Sequence, residues 1–136
     1  MTDRAGLARD VVIVACAISA GIHGALTPAH FGEGSAIGGG FLAAAVVLGA
    51  VAVALTRHAD VAVLALAAVI LAGLIASYAF AITSGLPVLH PEPEPVDGLA
   101  VATKFIEAIG LAAALDLLWR GRPAGALHPA RKGTVT

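Results

Sequence analysis

The sequence predicts an all-α protein, a four-transmembrane-helix bundle with both termini cytoplasmic. Three observations lead there. First, 59% of the 136 residues are hydrophobic and 12% are charged, whereas soluble domains carry about 45–50% and about 25%. Second, the apolar residues are gathered into four runs, residues 7–26, 37–55, 61–82 and 99–118. Each reaches the length of about 20 residues needed to cross about 30 Å of hydrocarbon at 1.5 Å per residue. Third, the basic residues divide unevenly between the connections. Scarce lysine beside abundant Ala, Gly, Val and Arg also suits a bacterial, GC-rich origin.

The first run, 7–26, crosses if Arg9 and Asp10 lie at the headgroups. Ile13-Val14-Ala15-Cys16 has the form of a lipoprotein box, but only residues 11–15 precede the cysteine as an apolar stretch, short of the 7–15 residues of a signal core. Cys16 therefore reads as a small buried hydrophobe. After this run, Thr27 is placed to cap a helix and Pro28 to occupy its first position. A short interfacial turn would then carry His30 and Glu33 on one face, three residues apart. The second run has no polar side chain between positions 37 and 55. Its opening glycines, in GEGSAIGGG, suit a tight return and close helix packing rather than a phosphate loop, because no strand precedes them.

The third run carries Ser77 and Tyr78, and the connection after it, GLPVLHPEPEPVDG, has prolines at 91, 93 and 95. Alternating prolines hold an extended strap. Glu92 and Glu94 then point in different directions and are assigned to solvent. The fourth run holds Lys104 and Glu107 and ends at Asp116, Trp119 and Arg120, where the Asp and Arg are spaced to pair at the interface. The organisation is one membrane domain, residues 1–122, and a cytoplasmic tail, 123–136.

Arg4, Arg9, Arg57, Arg120, Arg122, Arg131 and Lys132 all fall on one side of such a bundle, while connections 27–36 and 85–98 contain no Lys or Arg. Basic residues favour the cytoplasm, so the termini are expected inside and the localisation is a bacterial cytoplasmic membrane, crossed several times. The opposite side then receives His30, Glu33, His90, Glu92, Glu94 and Asp97.

Spacing adds a polar layer at one depth. Ser19, His23 and Thr27 follow one another at four-residue intervals and share a helix face. Counted from the outer boundary, His23 and Lys104 lie about 6–7 Å deep, and Ser19, Tyr78 and Glu107 about 12 Å deep. An ionised residue near a bilayer centre costs roughly 2.5–3.5 kcal/mol on insertion scales, so it normally faces the bundle interior and finds a partner. Lys104 and Glu107 can form that pair between themselves, with Lys104 reaching outward.

The expected function follows from this layer. His23, His30, Glu33, His90 and Glu107 are the candidate binding residues, and Ser19, Tyr78, Asp97 and Lys104 support them. Imidazole with carboxylate suits a divalent transition metal such as zinc, copper or iron, or a small polar ligand arriving from outside. No HExxH, Cys-x-x-Cys or methionine cluster adds to this. Haem fits less well, since two facing helical histidines are needed and only His23 lies inside a run. A binding role, as sensor, carrier or small metalloenzyme, is favoured over other enzyme classes, because no catalytic motif is present. The alternatives are an accessory subunit docking its apolar second helix onto a larger membrane complex, or a small transporter acting as a homo-oligomer. Besides the lipid bilayer, such partners are the ones expected; a nucleic acid is not, for want of a basic surface.

Gly21-Ile22-His23, His30-Phe31-Gly32-Glu33, the glycine opening the second helix, and Ser84-Gly85-Leu86-Pro87 leading to Pro93-Glu94 and the Glu107 helix give the chain a further character. In these it resembles a loose group of small, mostly actinobacterial four-helix membrane proteins of unassigned function. The resemblance covers most of the chain and implies a four-helix architecture with a shared outer-face site, but no activity. Thr83-Ser84 stands where that group's pattern has Arg followed by Thr, which removes the basis for anion binding at that point.

Overall fold

The computed structural model describes residues 4–58, 60–86 and 92–121. Within them the chain is all-α, with four helices: α1 (Arg4–Glu33), α2 (Ser35–Arg57), α3 (Val61–Ser84) and α4 (Gly98–Arg120). All four are long and apolar enough to cross a membrane. The 123–136 tail and His90 lie outside the described residues.

The first helix departs from its expected end. It runs 30 residues, through Pro28 to Glu33, which is about 45 Å. Thr27 caps nothing: its Oγ1 donates back to the His23 carbonyl at 2.8 Å. Pro28 has no N–H to give the carbonyl four residues earlier, a loss membrane helices tolerate where neighbouring Ser or Thr hydroxyls and local adjustments regroup the bonds. The interfacial turn foreseen at 27–36 therefore does not exist as a separate element, and Gly34 alone joins α1 to α2. Its N–H donates to the His30 carbonyl at 3.1 Å and its own carbonyl accepts from Gly38 at 3.0 Å.

Glycine at 38 makes this return possible. A Cβ there would sit 2.7 Å from the Phe31 Cα, inside any permitted contact. Farther along, Gly24 approaches Ala45 and His23 approaches Phe41, so α1 and α2 run antiparallel. The same reading of Ala15 against Gly110, and of Ser19 against Glu107, makes α4 antiparallel to α1. Leu71 near Gly110 and Tyr78 near Lys104 make α3 antiparallel to α4. The result is an up-down-up-down bundle. Most of its packing is between α1 and α2, then α1 with α4 and α3 with α4; α2 and α3 touch much less.

The packing is lopsided along the bundle axis. Near the 58–60 link, Leu48, Val51, Ala52 and Leu55 of α2 meet Leu64, Ala67, Ala68 and Leu71 of α3, with Val12, Cys16 and Ala114 completing a solid core. Small side chains let the backbones close in, as membrane helices require when lipid supplies no hydrophobic drive for association. Asp60 caps α3 by accepting from the Val63 N–H at 2.9 Å, and Arg120 pairs with Asp116 at 2.8 Å. At the other end α3 stops at Gly85, whose φ of 69° suits glycine. The Glu94 N–H then donates to the Ala81 carbonyl at 3.0 Å, laying the strap ahead of α4 against the end of α3.

These approaches generate a test. Gly38→Ala and Gly110→Ala, whose new Cβ would lie 2.6 Å from that of Ala15, are each expected to lower stability by about 1–3 kcal/mol in detergent unfolding. Gly49→Ala meets nothing within 4 Å and is expected to leave stability unchanged or slightly raised. Equal effects at all three positions would contradict the close-approach account.

Candidate functional site

The polar layer is held by a carboxylate that has no exposure at all. Glu107, on the inward face of α4, is 0% exposed. One of its oxygens, Oε1, accepts from the Ser19 hydroxyl of α1 at 2.6 Å, and the other, Oε2, accepts from Lys104 Nζ at 2.6 Å. Lys104 is one turn earlier on α4 with its side chain 17% exposed, so the pair is largely shielded. Short contacts of this kind, with a charged partner, are the strong class of hydrogen bond.

His23 joins through Ser19. Its Nδ1 lies 2.9 Å from the Ser19 carbonyl and 3.3 Å from the Ser19 hydroxyl oxygen. A carbonyl can only accept, so Nδ1 carries the ring proton, and in the neutral imidazole Nε2 is left as an acceptor. His30, two turns on, repeats the arrangement: its Nδ1 is 2.9 Å from the Leu26 carbonyl. Phe41 of α2 lies against both rings, stacked on His30 with centroids 3.6 Å apart and tilted to His23 at 5.3 Å.

Above this layer α2 and α3 leave a cavity of about 590 Å³, lined from all four helices and the strap. Its walls are mainly aliphatic, with His23, His30, Tyr78 and Lys104 among the polar groups. The Tyr78 hydroxyl is buried and has no hydrogen-bond partner among the described residues, and the Lys104 ammonium sits 5.8 Å from the centre of the Tyr78 ring, within cation–π range. A volume of this size, mostly apolar with a few placed polar groups, is typical of a small-molecule site.

The structure thus brings together Ser19, His23, Lys104 and Glu107 by direct bonds, with His30 and Tyr78 on the same cavity. Asp97 also lines it while capping α4, accepting from the Leu99 and Ala100 N–H groups at 2.8 and 2.9 Å. Glu33, the last residue of α1, is exposed and does not line the cavity. Glu94 departs from its assignment to solvent: it is half-buried and lines the cavity, because its backbone bond to Ala81 draws it inward, while Glu92 is exposed. Phe41 was not among the sequence candidates. Its only signal is that it is the sole aromatic in α2. Among the described residues no three His, Cys, Asp or Glu side chains come close enough together to hold a metal ion.

Comparison with known proteins gives no match, whether to family models, to curated proteins or to solved structures.

The buried pair generates a second test. Removing one partner leaves an uncompensated charge, so Lys104→Met is expected to destabilise the protein by about 3–5 kcal/mol. Lys104→Met/Glu107→Gln should recover most of that loss in the same unfolding assay. A double variant as unstable as the single one would show that the pair is not what sets the cost.

Proposed function

We propose that this chain is a membrane-embedded binding protein whose cavity takes a small, largely apolar molecule with a polar head. The observation that carries this reading is the 590 Å³ cavity lined by Lys104 of the buried Ser19–Glu107–Lys104 network and by Tyr78, whose buried hydroxyl has no partner among the described residues. A bundle packed only for stability would have little reason to leave such a space above an ion pair. The exposed positions of α2 mix Leu42, Val46, Val47 and Val53 with Ala36, Gly40, Ala43 and Ala50, so that surface does not favour a docking role, and the cavity makes a binding role preferred to that of an accessory subunit. Both termini are cytoplasmic in this proposal, and the cavity opens on the extracytoplasmic side of a bacterial cytoplasmic membrane. The seven basic residues on the terminal side support that orientation.

A divalent metal, zinc, copper or iron, is the second reading. What favours it is that His23 and His30 each hold Nδ1 on a backbone carbonyl, the outer-shell arrangement that orients a ligating Nε2. It requires His90 or another ligand beyond the described residues.

Native mass spectrometry of the protein released from mild detergent tests both. The expected spectrum shows a bound organic mass that is lost in Gly40→Leu, since position 40 lines the cavity and a Cβ there meets nothing. Wild type and variant equally empty after incubation with host lipid extract would count against the pocket. A metal mass lost in His23→Ala would favour the second reading. For orientation, a phosphatase fused after the last residue should be inactive and a cytoplasmic fluorescent protein there should be bright; the reverse would overturn the topology.

A further inference from the structure

The hydrogen-bonding groups on the cavity wall are unequally committed. Most of the side-chain donors already have a protein partner. Thr103 Oγ1 donates to the Leu99 carbonyl at 2.7 Å and Ser77 Oγ to the Leu74 carbonyl at 3.0 Å. Lys104 Nζ gives one of its three N–H groups to Glu107 at 2.6 Å, which balances its charge, and both imidazole Nδ1 protons go to backbone carbonyls. The Tyr78 hydroxyl is buried and without a partner among the described residues.

The acceptors are in the opposite condition. The two imidazoles are tied to α1 through Nδ1, so each ring presents Nε2 away from its own backbone, as an acceptor. Glu94 lines the cavity, and Asp97 uses Oδ1 alone for its two capping bonds. Charge runs the same way. Lys104 is neutralised by Glu107 behind it, which leaves Glu94 and Asp97 as the wall's charges with no ion pair among the described residues. Phe41 and Tyr78 add two ring faces, and rings attract cations.

We infer that the cavity is selective for a lipophilic amine: a protonated ammonium head, which can only donate, on a compact apolar body. The inference rests on the pocket reading above and narrows it to one ligand class. The head meets the carboxylates of Glu94 and Asp97 and the Nε2 atoms of His30 and His23. The apolar body fills the aliphatic space between α2 and α3. A carboxylate or phosphate head would face four acceptors and a lysine whose charge Glu107 already balances.

Three molecules of one shape separate the possibilities: adamantylamine, adamantanol and adamantanecarboxylate. Each is titrated calorimetrically into the full-length protein in phosphatidylcholine nanodiscs, with empty nanodiscs subtracted. The amine is expected to bind saturably, about tenfold more tightly than the alcohol, the worth of one charge-assisted hydrogen bond. The carboxylate is expected not to saturate. Glu94→Gln/Asp97→Asn, in which asparagine still caps α4, should remove the amine's advantage while leaving alcohol binding unchanged, and Gly40→Leu should abolish both. An amine no tighter than the alcohol, a carboxylate that binds as well, or amine binding that survives Gly40→Leu would overturn the amine assignment. If none of the three saturates in protein with full helical circular dichroism, the pocket reading falls with it.

Discussion

The polar layer of this bundle is arranged around one carboxylate that has no access to solvent. Glu107 lies ten residues into α4, about 15 Å along the helix from its capping residue, roughly half the thickness of a bilayer's hydrocarbon. A charge at that depth is tolerated only with partners. Two are present, Lys104 from the same helix and Ser19 from α1. The Ser19 contact fixes the relative height of α1 and α4, and His23 is then carried to the same level because its ring bonds to Ser19. The position of one acidic side chain thereby sets the register of half the molecule.

The second organising fact is the division of labour along the bundle axis. Toward the 58–60 link, Leu48 and Leu55 of α2 and Leu64 and Leu71 of α3 belong to one buried apolar cluster. Toward Gly34, residues of all four helices line the cavity instead. The tight α1–α2 return holds one wall, since Gly38 lets α2 pass close to Phe31. The strap holds the other, since Glu94 is bonded to the end of α3 and Asp97 to the start of α4. The molecule thus has a filled half and a half that encloses the cavity.

These two facts are connected. A buried ion pair seldom stabilises a protein more than apolar side chains of the same volume would, and this one lies beside an open cavity that Lys104 lines. Lys104, its charge balanced by Glu107 and its ammonium over the Tyr78 ring, belongs to the wall of that cavity.

Much of the architecture was legible in the residues themselves. Four apolar runs of crossing length required four helices, because backbone groups in lipid must be satisfied within the segment. The polar stripe on α1 and the pairing of Lys104 with Glu107 followed from helical periodicity, which is local. Helix ends were less legible. Thr27-Pro28 has the form of a helix start, and only packing of the last α1 turns against α2 carries the helix on to Glu33. The site was legible only in part. Which helices are neighbours, that all four line one cavity, that Phe41 stacks on His30, and that Glu94 turns inward while Glu33 does not, all depend on contacts between residues far apart in the chain. A sequence of this composition determines that a helix buries its polar face; the tertiary structure alone decides which faces meet, because apolar Ala- and Gly-rich surfaces pack in many registers of similar energy and the few long-range polar bonds select one.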